Sequence, residues 1–308
     1  MDEVPWPTGL SYSNVRIALY TIRSERQLME QIQYNMLYRW FVGLGIDEPV
    51  WDASSYSHNR DRLLEGEIAG LFFQKVLELA EEGGFTSEEH FSVDGTLLEA
   101  SASLKSFKAK DGSSKPPDDD DPGNPTVDFK GEKRSNETHQ STTDPQSRLY
   151  RKSKGKEAKL CYMGHVTMEN RHGLAVSVRL TQATGTAERE SSVEMLCEVR
   201  QKSGKRITAA EDKGYDTAEH VKELRKAGIT PHVAQKKKGS AIDGRTTRHA
   251  GYVVSQRKRK RIEEIFGWLK DIGGLRKLRH RGQILADWLF TFTVSVYNLV
   301  RIRKLQAA

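Results

Sequence analysis

The chain has 308 residues, 36% of them hydrophobic and 30% charged, enough apolar material for one or two domains beneath a very polar surface. Its two cysteines, Cys161 and Cys197, build neither a disulfide framework nor a Cys/His zinc site, and Met1-Asp2-Glu3 does not open a secretory leader, so a reducing, cytoplasmic setting is expected. The net charge of +7 hides a split of 26 basic and 10 acidic residues from Arg200 onward against 23 and 32 before it, which points to a polyanion, nucleic acid first, as partner of the C-terminal third.

From about Asn14 to Leu79 the pattern is helical. Leu28, Ile32 and Met36 recur at four-residue spacing with Leu37, Trp40 and Phe41 beside them. A second helix from about Arg60 to Ala80 carries Leu63, Leu64, Ile68, Leu71, Phe72, Val76 and Leu77, and Gly83-Gly84 ends it. His90 to Leu97 alternates as a short strand with Asp94 near its end. The stretch 104–150 then loses all periodicity, with Pro116-Pro117, the acidic run Asp118 to Asp121 and a Ser/Thr/Asn-rich tail, and reads as a long, mostly disordered insertion.

Order returns with a hairpin, Leu160 to Met168 and Leu174 to Thr181. A helix from Ala187 to Gln201, a strand from Arg206 to Ala210, a helix from Thr217 to Ala227 and a strand from Ile229 to Ala234 follow. Two further helices are expected, from Ser255 to Lys270 and from Gln283 to Lys304. The most apolar stretch, Ile284 to Ile302, holds Asp287, Asn298 and Arg301, and reads as a buried helix rather than a membrane span. This order predicts an α/β fold, a mixed sheet flanked by helices that fits an RNase H-like core, preceded by a small all-α region. The expected division is 1–88 for the helical region and 89–304 for the core, with 104–150 inserted in it.

Asp94 closes the first strand and Asp212 follows the fourth, and ligands of open α/β sheets collect at strand ends. Either one alone is weak evidence, because turns after strands favour Asp. The helix R-K-R-K-R-I-E-E-I-F-G-W-L-K supplies a third acid. On a wheel of 100° per residue, Ile265, Phe266 and Leu269 lie within about 60° of Ile262, while Arg259, Lys270 and Glu263 flank that stripe at about 60–100° and Glu264 faces water. The wheel selects Glu263. Three such carboxylates would hold two Mg²⁺ ions about 3.5–4 Å apart for phosphoryl transfer, and Arg259 and Lys270 would neutralise a phosphodiester beside them. Asp216 is a poorer second acid, better suited to capping the next helix. His90, His165 and His172 have no paired metal-ligand spacing and read as structural.

S-V-D-G-T around Asp94, A-E-D-K-G-Y-D around Asp212 and R-K-R-I-E-E-I-F-G-W-L-K around Glu263 resemble the DDE transposases of bacterial insertion sequences, most nearly the insertion-sequence-five branch. I-R-S-E-R-Q-L-M-E-Q from Ile22, Y-R-W-F-V-G-L from Tyr38, G-K-E-A-K-L-C-Y-M-G-H from Gly155 and A-I-D-G-R-T-T-R-H from Ala241 extend the likeness over roughly Ala18 to Lys304. The resemblance implies an RNase H-like fold with the triad Asp94, Asp212 and Glu263, using Mg²⁺ or Mn²⁺ for cleavage at transposon ends and strand transfer into target DNA, in a homo-oligomer assembled on double-stranded DNA. The family's Tyr, Arg, Glu and Lys signature is matched at Arg259, Glu263 and Lys270, with Gln256 in the Tyr position. Met1 to Val15 resembles nothing at the family's front, so 1–88 is expected to be an incomplete DNA-binding or dimerisation domain, truncated or replaced at its start. A nuclease without strand transfer and a catalytically silent DNA-binding remnant stay open beside the transposase.

Between Lys236 and Arg281 there are 15 basic and 4 acidic residues. The expected phosphate contacts are Lys236, Lys237, Lys238, Arg245, Arg248, Lys270, Arg276, Lys277, Arg279 and Arg281, with Arg259 at the acids; such contacts fix register and add salt-sensitive affinity without reading sequence.

Overall fold

The computed structural model describes residues 20, 22, 24–55, 67–112, 128–129, 132–152 and 155–307. Met1 to Val15, the start of the expected second helix with Leu63 and Leu64, and the acidic run Asp118 to Asp121 lie outside the described residues.

Two short helices open the described chain, α1 (Glu25–Tyr34) and α2 (Met36–Val42). Ser24 caps the first, its hydroxyl accepting from the Gln27 amide at 3.1 Å. The four-residue pattern holds only to Ile32. Asn35 leaves the helical region and caps a new helix through the Leu37 and Tyr38 amides. That break turns the buried face to Tyr38, Arg39 and Val42, so Met36, Leu37 and Trp40, expected inside, are exposed. Leu28, Ile32, Tyr38 and Val42 form a small core of their own. The helix α3 (Ile68–Glu82) buries Ala69, Phe73, Val76, Leu77 and Ala80 and leaves Leu71 exposed; Gly84, at φ +69°, takes the left-handed turn that follows.

The central element is a mixed sheet. Its strands are β1 (His90–Glu99), β4 (Arg148–Tyr150), β5 (Lys159–Glu169), β6 (Ala175–Gln182), β7 (Ile207–Glu211) and β8 (Ile229–Val233), with β2 (Phe107–Ala109) and β3 (His139–Ser141) paired apart. β8 pairs with β7 and β7 with β1 in parallel, while β5 runs antiparallel to β1. The far edge of β5 is shared, by β4 over Lys159–Cys161 and by β6 over Tyr162–Met168. The order β6-β5-β1-β7-β8, with one strand reversed, is the RNase H-like topology expected from the element order.

One face of this sheet is covered by α4 (Ala187–Ser203) and α5 (Ala218–Lys226) over Phe91, Val93, Ile207, Ala209 and Ile229. The other carries α3, α8 (Ile262–Asp271) and α9 (Gln283–Gln306) over Leu98, Leu160, Tyr162 and Val166. The α9 ring of Phe290 lies so close that a Cβ on Gly164 would come within 2.7 Å of it. Among the described residues no helix is long and apolar enough to cross a membrane, and α9 is a core helix.

The expectation of disorder over 104–150 fails for its described residues. β2 pairs with β3, β4 joins the main sheet, and the buried Asp144 carboxylate accepts from the Tyr162 hydroxyl at 2.7 Å. Short polar segments hold here because side chains cap them: Ser141 accepts from the Asp144 amide, and Asn136 bonds both the amide and the carbonyl of Leu149.

Candidate active site

Asp94 stands in the middle of β1, not at its end as the alternation suggested, because β5 keeps pairing with β1 as far as Glu99. What stops near Asp94 is β7. Its parallel ladder with β1 ends at Ser92 and Ala210. Continuing that register by two residues sets Asp94 across from Asp212, on strands about 4.8 Å apart and, with period two, on the same face. β7 ends there because Asp212 caps the 3₁₀ turn Lys213–Tyr215, its Oδ1 accepting from the Gly214 amide at 2.5 Å. The Asp94 Oδ1 accepts from the Gly95 amide at 2.8 Å.

The third acid comes from α8. Its buried stripe is Ile262, Ile265, Phe266 and Leu269, the one drawn on the wheel, and both Glu263 and Glu264 are exposed. They face different neighbours: Glu263 acts electrostatically on Asp94, Glu264 on Tyr297. The single helix expected from Ser255 to Lys270 is interrupted. It consists of α7 (Ala250–Lys258), a 3₁₀ turn (Arg259–Arg261) and α8. Arg259 lies in that turn, its Nε donating to Gln256 Oε1 at 2.9 Å, and the Gln256 amide donates in turn to the His232 carbonyl on β8. Gln256 therefore ties α7 to the sheet where the family signature has a ring.

Burial pushes the Asp94 carboxyl up to about 7; the Gly95 amide opposes the rise, and Asp212, Glu188 and Glu263 add to it. Glu188 is a fourth carboxylate that the sequence reading did not single out. It sits in the first turn of α4, raised by burial and then by Asp212, and its Oε1 lies 2.9 Å from where a Cβ on Gly95 would be. The sequence signal was faint, since an acid in a helix's first turn is ordinary dipole chemistry. Tyr215 is fully enclosed, and among the described residues its hydroxyl has no hydrogen-bond partner. Burial raises it well above the usual phenol range, as do Asp94, Glu188, Glu211 and Asp212. Glu211, one residue before Asp212, faces the opposite way and is satisfied by Ser192 and by His220 Nε2 at 2.8 Å.

Among the described residues no three His, Cys, Asp or Glu side chains converge closely enough to hold a metal ion. The carboxylates nevertheless act on one another electrostatically, Asp212, Glu188 and Glu263 on Asp94 and Asp212 on Glu188. The donor set suits a hard divalent ion: carboxylate oxygens only, beside an orphaned buried hydroxyl.

The expected phosphate contacts divide on inspection. Arg245 is held by Asp243 at 2.7 Å, Arg276 by Asp271, and Lys277 by Glu99 at 3.1 Å. Lys236 Nζ donates to the Asp216 carbonyl at 2.6 Å, Arg248 to the Gly244 carbonyl at 2.9 Å and Arg279 to the Ile22 carbonyl at 3.2 Å. Lys237, Lys238 and Arg281 are exposed, and Lys270 is half-buried beside Glu263. Asp216 does not cap α5, a task that Thr217 performs; its buried carboxylate accepts from the Lys236 and Ala241 amides and pins the basic loop. Of the three histidines read as structural, His165 bonds Thr181 and His90 bonds Ser255, while the His172 ring packs edge-on to Phe85 with Nδ1 3.8 Å from the Glu169 carboxylate.

Residues 86–299 match a family described as a transposase DDE domain, and residues 16–62 match a transposase domain (DUF772). No curated protein matches the chain. Among solved structures it is similar to a Mos1 transposase paired-end complex with left transposon end, at 10% identity over 100% of this chain and 81% of that one, with a TM-score of 0.24. A mariner Mos1 paired-end complex with Mg (11%, 100% and 81%, 0.24) and a Mos1 strand transfer complex (9%, 99% and 80%, 0.23) are similar to the same degree. The fold assignment rests on strand order and register, not on superpositions this loose.

Proposed function

Because the chain belongs to the DDE transposase family of insertion-sequence type, we propose that it cuts DNA at the ends of its own element and joins them to target DNA. The observation that carries this reading is the in-register pair Asp94 and Asp212 at the end of β7, with Glu263 of α8 acting on Asp94. Asp94, Asp212 and Glu263, with Glu188 beside them, would hold two divalent cations, which when bound neutralise charge on the phosphodiester and favour an ionised oxygen nucleophile.

This chain's residues perform the rest. The two aspartates stand on neighbouring strands and α8 carries Glu263 on the side that acts on Asp94, so bound cations would draw together side chains that the sheet and the helix bring to one crevice. Lys270, one side of α8 with Glu263, stabilises negative charge on the transferring phosphate. Water for cutting, or a 3′-hydroxyl for joining, forms a new P–O bond as the bond to the leaving 3′-oxygen breaks. The nucleophile gives up a proton and the leaving oxygen takes one.

The test is a labelled duplex carrying the element's end, incubated with Mg²⁺ or Mn²⁺ and either the unaltered chain or Glu263→Gln. Cutting by the unaltered chain alone supports the reading. Cutting without joining, on addition of a target plasmid, reduces it to a nuclease. Binding without cutting in both leaves a DNA-binding remnant.

A further inference from the structure

A pocket of about 290 Å³ is lined in part by Leu97, Tyr150, Lys152, Lys156, Lys270 and Arg276, and Glu99, Glu157 and Lys159 belong to the same lining. Its charges do not cancel. Glu99 is taken by Lys159 and Lys277, each at 3.1 Å, Glu157 stands 3.7 Å from Lys159, and Arg276 is held by Asp271. Among the described residues no carboxylate lies within ion-pair distance of Lys152, Lys156 or Lys270. Burial first, and then Lys152 and Arg276, lower Lys270 from the usual ammonium range, while Glu263 and Asp271 oppose them. Apolar surface lies directly beside them, on Leu97 and the half-buried ring of Tyr150.

The pocket is tied to the acids through α8: Lys270, which lines it, follows Glu263 by seven residues, about two turns, on the same side of the helix. Lys152, also in the lining, acts electrostatically on Glu188. Three unpaired cations with an apolar wall suit an anion that carries an apolar ring, which is what a nucleotide unit is. We propose that this pocket receives the phosphodiester next to the one at the acids, its phosphate between Lys152, Lys156 and Lys270 and its sugar against Leu97 and Tyr150. It rests on the transposase reading and adds residues outside the basic stretch 236–281: β4 and the segment after it supply Tyr150, Lys152 and Lys156. The described end of the 104–150 insertion thereby gains a role in holding DNA.

The experiment measures binding of a short fluorescein-labelled duplex by the full chain across a salt series. The double variant Lys152→Gln/Lys156→Gln is compared with Lys202→Gln/Lys222→Gln, which removes the same charge from α4 and α5. The pocket pair is expected to flatten the slope of log K against log salt by about 1.8 and weaken binding about tenfold at low salt. The control pair should leave the slope where it was. Tyr150→Leu should weaken binding severalfold with the slope intact. Equal losses in both pairs, or an unchanged slope in the pocket pair, overturn the pocket while leaving the transposase reading standing. No duplex binding by the unaltered chain overturns both.

Discussion

The acidic crevice and the basic stretch from Lys236 to Arg281 treat charge in opposite ways. In the crevice, Asp94, Asp212, Glu188 and Glu263 form no ion pair with a cation among the described residues, and burial first, then the other three acids, drive Asp94 up to about 7. In the basic stretch, Arg245, Arg276 and Lys277 each have a carboxylate, and Lys236, Arg248 and Arg279 each donate to a backbone carbonyl. The lesson concerns what charge can report. A run of cations in a sequence is largely spent on holding loops and helix ends, whereas like charges set near one another without an ion pair mark where a ligand would supply the counter-charge.

Asp94→Asn or Asp212→Asn breaks the crevice most directly. Cutting of end DNA should fall about a thousandfold, the order expected when several kcal/mol of transition-state charge stabilisation go, with duplex binding retained. Loss of binding in step with cutting would mean that these acids support the fold instead.

The same substitution reports the energetic cost of the crevice. With a folded pKa of about 7 against an ordinary value of 3.8, Asp94 keeps its proton in the native state where the unfolded chain has lost it. Stability contributed at this position therefore declines as pH rises from 3.8 to about 7 and stays low above that. Asp94→Asn should stabilise the metal-free chain by on the order of 2–4 kcal/mol near pH 8, a gain that shrinks toward pH 4. Urea midpoints at several pH values measure it, and saturating Mn²⁺ should reverse the preference in favour of Asp94.

Gly95→Ala sharpens the account of Glu188. The new methyl would meet Glu188 Oε1 at 2.9 Å and its Cγ at 3.0 Å, atoms of a side chain that can swing away. Stability should drop by about 1 kcal/mol. The Mn²⁺ affinity, read by calorimetry, should drop severalfold with it if Glu188 belongs to the site.

The smallest effect is expected in the basic stretch. Arg245→Gln, which removes a cation already engaged by Asp243, should leave duplex affinity within about twofold and the salt slope unchanged, while Lys237→Gln/Lys238→Gln should flatten that slope by about 1.8. Equal effects from the two would erase the contrast between spent and available cations.

Much of this was legible because periodicity and burial speak the same language in a sheet and its covering helices. His90 to Leu97, the hairpin after Leu160 and the strands before Asp212 and Ala234 alternate or run apolar, and each is a strand within a few residues of its expected bounds. Glu263 was separable from Glu264 because the 100° step between adjacent helical residues sets them on different flanks of α8. Asn35 was less legible: as a helix cap in mid-pattern it reverses which of Met36, Leu37 and Tyr38 is buried, and caps depend on hydrogen bonds that spacing does not encode. The break at Arg259 carries no side-chain cap at all, and the spacing of apolar residues does not mark it.

The order of elements, the apolar stripe of α8, and the residue types and motifs that carry the family likeness are local properties, and the sequence by itself determined them. Only the tertiary structure decided that β7 stops beside the middle of β1, that Glu188 fills the space a side chain at Gly95 would need, and that the end of the 104–150 stretch is woven into the sheet beside a basic pocket. Each of these joins residues far apart in the chain. Which distant partners meet is settled by register and packing across the sheet, where a shift of one residue would turn every side chain to the other face.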